Sequence, residues 1–374
     1  MSAKKTLVTG GAGFVGSHLV DALLSAGHEV RVLDNISPQV HGGNGTPSYL
    51  SPEVELLVGD MRDPNAVRRA ISDVDVIFHL AAAVGVGQSM YQIADYMGAN
   101  TQGTANLLQA MLDRKTHIER LIVASSMSIY GEGFYRCPAC GDVAPPPREL
   151  QQLQNKQWEM LCPQCDAELS PVATSEEKRL QCTSVYALSK KDQEEICLLY
   201  GRTYGLPVVA LRYFNIYGTR QALSNPYTGV AAIFASRLLN NRAPLVFEDG
   251  EQLRDFVSVH DVVAANLLAM ESDRAVGHAL NIGSGKPISI LGVASALAAA
   301  LDSDMLCEIT AKYRAGDIRH CFADISSARE LLGYEPRVGF EHGIRGLSQW
   351  LREQRAEDRA ANMVAELNTF GLMA

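Results

Sequence analysis

A short β-branched run, Lys5-Thr6-Leu7-Val8-Thr9, passes without a linker into Gly10-Gly11-Ala12-Gly13-Phe14-Val15-Gly16 and then into an amphipathic stretch from Ser17 to Ala26. Few folds place glycines at that spacing between a strand and a helix. Glycines at 10, 13 and 16 let the backbone turn tightly, approach a pyrophosphate and pack helix on strand, while the helix start offers free N–H groups to the anion. The spacing is G-x-x-G-x-x-G, and with a strand before it and a helix after it the stretch predicts a dinucleotide-binding turn. A second strand, Glu29 to Leu33, ends at Asp34, about twenty residues past the glycines, where a carboxylate can accept hydrogen bonds from adenosine ribose hydroxyls. That arrangement selects NAD. A 2′-phosphate would meet a like charge, and neither Asn35 nor Ile36 supplies the arginine that NADP needs.

Strand and helix patterns keep alternating along the chain. Glu53 to Val58 is followed by Asp60-Met61-Arg62-Asp63, and Val74 to Leu80 by Ala81-Ala82-Ala83, whose small side chains leave room for a cofactor. A helix from Asn100 to Leu112 and a strand from Arg120 to Ala124 continue the series. The alternation predicts an α/β fold, a Rossmann-like doubly wound parallel sheet that binds ligands at the carboxyl ends of its strands. At 374 residues the chain exceeds what one core usually holds, so a smaller second α/β domain is expected. Its net charge of −9, with no dense Lys/Arg run, argues against nucleic acid or an anionic membrane as partner and for a small ligand. The start, Met1-Ser2-Ala3-Lys4-Lys5, reads as neither signal peptide nor anchor, and no apolar run is long enough to span a membrane. The expected location is the cytoplasm.

Two further stretches carry hydroxyls and a base. Ser125-Ser126-Met127-Ser128-Ile129-Tyr130-Gly131 stands at the end of a strand, and Ser184-Val185-Tyr186-Ala187-Leu188-Ser189-Lys190 sets a tyrosine and a lysine one helical turn apart on the same face. A phenol with a pKa of about 10 is a poor base, and an ammonium held beside it stabilises the phenolate. Many amphipathic helices carry a lone Tyr-x-x-x-Lys, so this motif gains weight only from its partners.

In this order the glycine turn, Asp34, Asp60, the serine cluster and Tyr186-x-x-x-Lys190 resemble the extended short-chain dehydrogenase/reductase family, in particular its nucleotide-sugar epimerases and dehydratases, over about residues 4–345. The resemblance implies that Ser126, Tyr186 and Lys190 are catalytic, with Ser126 bonding the sugar hydroxyl under attack and Ser128 a second hydroxyl beside it. It implies cofactor contacts from Gly10, Gly13, Phe14, Val15, Gly16, Asp34, Asn35, Asp60, Met61, Leu80, Ala81, Ala82 and Asn100, together with Tyr186 and Lys190. It places the substrate diphosphate against Asn215, the helix start at Gly229-Val230, Arg254 and Arg314, counts Asp317 among the substrate contacts, and sets the base along Val246 and Phe247. It also implies a homodimer. Residues 1–216 would form the NAD-binding domain and 217–350 mainly the nucleotide-sugar domain, with 255–285 packing back on the first and 351–374 a helical tail. Dehydratases of the family carry an Asp-Glu pair immediately after the catalytic hydroxyl, and decarboxylating relatives keep a Glu. Here Met127 and Ser128 stand there and cannot transfer protons at carbon, which disfavours elimination.

Ser126 and Tyr186 are 60 positions apart, well over twice the family's usual separation, which marks residues 134–181 as an insertion. It holds Cys137-Pro138-Ala139-Cys140 and Cys162-Pro163-Gln164-Cys165, with 21 residues between Cys140 and Cys162. Two such knuckles give a closed Cys₄ site, for which zinc is preferred over iron because such shells are ordinarily structural. Pro145 to Trp158 has no core-forming pattern, so the metal is expected to hold the insertion together. Cys182, Cys197, Cys307 and Cys321 are scattered and read as buried or inert. The knuckles, with Ser-Asn-Pro-Tyr-Thr-Gly at 224–229 and Phe-Glu-Asp-Gly at 247–250, resemble the dTDP-L-rhamnose 4-epimerase branch, which implies interconversion of dTDP-L-rhamnose and dTDP-6-deoxy-L-talose. Alternatives are a UDP-hexose 4-epimerase, an NAD-dependent nucleotide-sugar reductase or dehydrogenase, and an inactive NAD-binding docking protein. His260-Asp261 is given no chemistry, since chain neighbours seldom face each other. Asp261 is expected to serve a helix start.

Overall fold

The computed structural model describes residues 3–43, 45–114, 117–314 and 316–373; Met1, Ser2, Asn44, Lys115, Thr116, Ala315 and Ala374 lie outside them. Seven strands, β1 (Lys5–Thr9), β2 (Glu29–Asp34), β3 (Glu55–Val58), β4 (Val76–His79), β5 (Arg120–Ser126), β6 (Val208–Tyr213) and β7 (Ala279–Ile282), form one sheet in the order β7-β6-β5-β4-β1-β2-β3. Every neighbouring pair is parallel. The winding reverses at β1, which lies between β4 and β2, so the loops after β1 and β4 diverge and open a crevice at the carboxyl ends. The expected doubly wound sheet is therefore present.

All seven residues of β5 are buried, as a central parallel strand covered on both faces requires. On one face the helices Phe14–Ser25 and Val259–Glu271 bury Leu19, Leu23, Val262 and Ala265. On the other the helices Pro64–Ala70, Gly103–Arg114 and Val185–Tyr204 bury Val67, Leu107, Met111 and Cys197. Two helix starts differ from the sequence pattern. The first helix begins at Phe14 because Gly13 takes the extended capping conformation, and the helix expected from Asn100 begins at Gly103, after a wide π-type turn over Met97–Gln102.

A second core gathers Tyr217, Phe234, Val246, Phe256, Leu297 and Leu347 between the helices Val230–Leu239, Ile290–Ala300 and Phe340–Leu351. In the insertion the strands Phe134–Cys137, Gly141–Val143 and Ser170–Val172 pair antiparallel around a core of six residues that includes Tyr135, Met160 and Leu169. The polar stretch after Pro145 is anchored chiefly by charge: Arg148 has 1% of its side chain exposed and pairs with Glu248 of the second lobe, while Leu153 of the short helix Leu150–Gln154 is buried. Among the other cysteines, Cys197 and Cys321 are buried, which pushes both thiols up to about 12, whereas Cys182 and Cys307 are only half-buried.

The tail forms a helix, Ala360–Thr369, that returns over the cleft. Met363 and Leu367 pack with Tyr91, Tyr227 and Phe247, and the Phe370 ring stacks on Tyr91 at 4.5 Å. The hydroxyls of Tyr91 and Tyr227, one from each lobe, both donate to the Glu366 carboxylate. Among the described residues no helix is long and apolar enough to cross a membrane.

Candidate active site

A cavity of about 820 Å³ runs along the carboxyl ends of β1, β4 and β5 and on between the two lobes. It begins at the glycine turn. Gly10 adopts a left-handed φ of +71°, and a Cβ on Gly16 would fall 2.2 Å from the Gly10 carbonyl oxygen, so neither position admits a side chain. Gly13 caps the following helix without a side-chain partner, leaving first-turn N–H groups free for an anion. Asp34 at the end of β2 ties the turn in place: its carboxylate accepts from Ala12 N–H at 3.0 Å and from Ile36 N–H at 2.9 Å. Each carboxylate oxygen keeps lone-pair capacity for a ribose hydroxyl. Asp60 lines the same end and accepts from Asn35, and the Arg62 guanidinium holds it down at about 2. Arg62 also lines the cavity, but it is committed to Asp60 and stands 3.7 Å from Asp95, so its charge is already matched. A dinucleotide fits this donor and acceptor set.

Farther in, Ser126 ends β5 and its hydroxyl bonds Ser128 Oγ at 3.2 Å. Tyr186 lies in the first turn of the helix Val185–Tyr204, which Ser184 caps by accepting from Ala187 N–H at 3.1 Å. Its ring stands edge-on to Tyr96 at 6.4 Å. Burial pushes the Tyr186 phenol up, against a hydrogen bond with the Ser126 hydroxyl that lowers it. Burial also brings the Lys190 ammonium down to about 8. Lys190 does not donate to Tyr186; its Nζ bonds Gln193 Oε1 at 2.7 Å.

Behind Lys190 runs a buried polar chain that sequence reading missed. Ala81 N–H donates to Thr9 Oγ1, Thr9 bonds His79 Nδ1 at 2.8 Å, His79 Nε2 bonds Thr104 Oγ1 at 2.9 Å, and Thr104 donates to the Asn100 carbonyl at 2.7 Å. Gln193 Nε2 also donates to Thr104, at 2.8 Å. This set of donors assigns the imidazole proton to Nε2, and burial holds His79 down at about 3, hence neutral. The one legible sign was Gln193, three residues past Lys190 on the same helix.

The far end is cationic. Arg254 lies on the strand Leu253–Ser258 and donates to the Leu253, Arg319 and Ile318 carbonyls. Arg314 donates to Asp317 Oδ2 at 2.8 Å and places its guanidinium 5.5 Å from the Phe247 ring centroid. Burial opposes ionisation of Asp317, but Arg314 and Arg254 hold it below the usual carboxylate range, which leaves the group one net positive charge. Gly229 caps the helix Val230–Leu239 without a side-chain bond, a second free helix start on the cavity wall. Four lining polar atoms, His41 Nδ1 at the cofactor end and Ser125 Oγ, Asn215 Oδ1 and Gln252 Oε1 farther along, are buried without a partner among the described residues.

The cavity thus gathers Gly10, Gly13, Phe14, Val15, Gly16, Asp34, Asn35, Asp60, Met61, Leu80, Ala81 and Ala82 at one end, Ser126, Ser128, Tyr186 and Lys190 in the middle, and Asn215, Gly229, Val230, Phe247, Arg254, Arg314 and Asp317 at the other. Two expected contacts fall elsewhere. Val246 is fully buried in the second core, because side chains alternate along an extended segment and its neighbours Leu245 and Phe247 are the ones that face the cavity. Asn100 is fully buried behind the wall, where it accepts from Ala83 N–H and donates to the Ala83 carbonyl and Ser189 Oγ; it positions the loop after β4. Asp261 also differs: Ser258 caps its helix, and the Asp261 carboxylate accepts instead from the N–H groups of Arg337 and Val338. The tail contributes Ala360, Met363 and Val364 to the cavity lining, residues whose place no local pattern indicated.

In the insertion, the ligand atoms of Cys137, Cys140, Cys162 and Cys165 lie within 4.8 Å of one another, with Cys165 Sγ 3.5 Å from Cys137 Sγ and 3.7 Å from Cys140 Sγ. Tetrahedral sulfurs about 2.3 Å from a zinc ion stand about 3.8 Å apart, so the donor set fits. Burial raises the Cys137 thiol, yet the N–H groups of Ala139 and Cys140 bring it down to about 7, while bonding among the four sulfurs pushes the Cys140 thiol up to about 12.

The NAD dependent epimerase/dehydratase family matches residues 6–150 and 162–283, the gap falling inside the insertion. The chain is 33% identical over 356 residues to a dTDP-L-rhamnose 4-epimerase of Burkholderia thailandensis, covering 95% of this chain and 96% of that protein. It is 32% identical to a putative UDP-glucose 4-epimerase of Methanocaldococcus jannaschii, over 92% of this chain and 98% of that one. A crystal structure of UDP-glucuronic acid 4-epimerase from Bacillus cereus in complex with UDP-glucuronic acid and NAD superposes with a TM-score of 0.76 at 26% identity, covering 93% and 99% of the two chains.

Proposed function

This chain belongs to the NAD dependent epimerase/dehydratase family, and from that premise we propose that it is a nucleotide-sugar 4-epimerase whose substrate is dTDP-L-rhamnose, converted to dTDP-6-deoxy-L-talose. The observation that carries the reaction type is the content of the cavity. Ser126, Tyr186 and Lys190 meet midway between a dinucleotide turn and a two-arginine clamp, and the lining acids are all committed elsewhere. Asp34, Asp60 and Asp95 belong to the cofactor end, and Asp317 is tied to Arg314. Among the described residues, none supplies the second acid or base that elimination across C5 and C6 would need beside Ser126. The choice of sugar rests on the similarity to the Burkholderia thailandensis enzyme; a UDP-hexose 4-epimerase is the second reading, favoured by the likeness to the Methanocaldococcus jannaschii protein.

In the proposed mechanism Tyr186 removes the proton of the sugar C4 hydroxyl while Ser126 bonds the same oxygen, and Lys190 supplies the positive charge that favours the phenolate. The chemistry that a nicotinamide supplies when bound here is reversible hydride acceptance. Arg254, Arg314 and the helix start at Gly229 hold the diphosphate, so the 4-keto sugar can turn about the bonds that join it to that anchor. Tyr186 then returns its proton to the product oxygen, leaving the C4 epimer. A panel of nucleotide sugars incubated in deuterated water without added cofactor should yield the epimer with protium at C4, read by NMR. Deuterium at C4, or turnover only with stoichiometric cofactor, would exclude internal hydride return.

Asp34 gives this reading a cofactor preference. A 2′-phosphate beside its carboxylate would meet an unmatched like charge, since Arg62 is already paired. NAD should bind at least about tenfold more tightly than NADP. Equal affinities in a binding titration would show that Asp34 does not select the cofactor.

A further inference from the structure

The insertion grips the wall of the cavity at its cationic end. Arg148, in the loop between the two cysteine pairs, donates to both carboxylate oxygens of Glu248 at 2.8 and 2.9 Å and to the Asp317 carbonyl at 3.1 Å. Both charged side chains are almost wholly buried, at 1% and 2% exposed. Glu248 in turn accepts from Arg319 at 3.1 Å, and Arg319 donates to Asp249 and to Glu159, the latter again from the insertion. Glu159 also meets His320 at 2.9 Å. These contacts converge on two short segments. One follows Phe247. The other runs from Arg314 to His320, bearing Asp317 and the Ile318 and Arg319 carbonyls that hold the Arg254 guanidinium.

We propose that Arg148 is a positioning residue for the diphosphate subsite: acting from the insertion, it fixes Glu248 and the Asp317 backbone and thereby sets the spacing of Arg314, Asp317 and Arg254. A buried fork of this kind is rigid, because guanidinium and carboxylate match in plane and separating them would leave a desolvated charge. Arg314 bonds Asp317, and Arg254 bonds backbone carbonyls of the segment that Arg148 holds, so both arginines of the clamp are seated on that segment. Arg148 itself does not line the cavity, so its effect on ligands must pass through those segments.

The proposal rests on the nucleotide-sugar reading, and calorimetric binding of UDP, dTDP and NAD to the purified full chain separates the two. Arg148→Met should weaken UDP and dTDP about tenfold or more, as misplacing a charged clamp by a fraction of an ångström does, while NAD affinity is unchanged. In turnover the loss should fall on KM, with kcat nearly constant. Arg148→Lys keeps the charge without the fork and should lie between. Glu248→Gln, which removes the partner charge at constant shape, should move affinity in the same direction and serves if Arg148→Met does not fold. Wild-type affinity for both diphosphates in Arg148→Lys and Glu248→Gln would overturn the proposal. Failure of the unaltered protein to bind either diphosphate would overturn the nucleotide-sugar reading instead.

Discussion

Tyr186→Phe is expected to lower kcat by about a hundredfold or more, the low end of what a positioned acid–base group contributes, with substrate affinity nearly unchanged. The substitution deletes one oxygen from a ring that packs edge-on to Tyr96 inside a folded wall, so the fold and the diphosphate clamp stay as they are. Steady-state kinetics paired with calorimetric binding of the substrate checks both halves, and a variant with near wild-type kcat would remove Tyr186 from the chemistry. The wild-type pH profile tests its neighbour. Burial lowers Lys190 to about 8, so the ammonium is present below that pH and lost as pH rises through it, while burial pushes the Tyr186 phenol the other way. The charge that favours the phenolate is therefore available on the acid side, and kcat/KM should fall as pH rises through about 8. A rate that stays flat through that pH would show that the Lys190 charge is not required.

Cys137→Ser is expected to release the metal and free the insertion from its fold. Binding by a closed thiolate site is worth about 10–16 kcal/mol in zinc-finger peptides, far more than a core of a few residues can supply. The apolar core here numbers six buried residues, two of them the candidate ligands Cys137 and Cys162. Elemental analysis should find about one zinc per chain in the unaltered protein and little in the variant. Hydrogen exchange should lose protection across 134–172 and keep it in β1 to β5. NAD binding should persist, since no residue of the insertion lines the cavity. Anaerobically prepared protein without zinc or iron, or a variant that keeps its protection in the insertion, would overturn the metal's structural role.

The glycine turn, Asp34 at a strand end, the serine cluster, Tyr186 with Lys190 and the paired cysteines were all legible because each is a local constraint. Gly10 needs a left-handed φ, a four-residue spacing on a helix fixes a shared face, and a C-x-x-C loop spans one ion whatever surrounds it. Parallel strands alternating with helices likewise leave few topologies open, so the doubly wound parallel sheet follows from pattern. Val246 shows where that reach ends. A strand of two residues carries too little alternation to say which side faces the cavity, and only the packing of the second core decided it.

The remaining features depend on surfaces brought together from distant parts of the chain. Lys190 could be matched to Tyr186 from spacing, but its bond to Gln193 and the buried chain through Thr104, His79 and Thr9 exist only because β1, β4 and two helices meet there. The tail reads as a generic amphipathic helix until Glu366 is seen receiving hydroxyls from both lobes. Arg148 lies in a polar stretch with no apolar pattern, and nothing near it in sequence announces Glu248, 100 residues away. By itself the sequence determined the backbone conformations, spacings and residue types that chemistry needs at each point. The tertiary structure alone decided which charges are desolvated and by what they are matched, because that depends on the surfaces covering each group rather than on its neighbours in the chain.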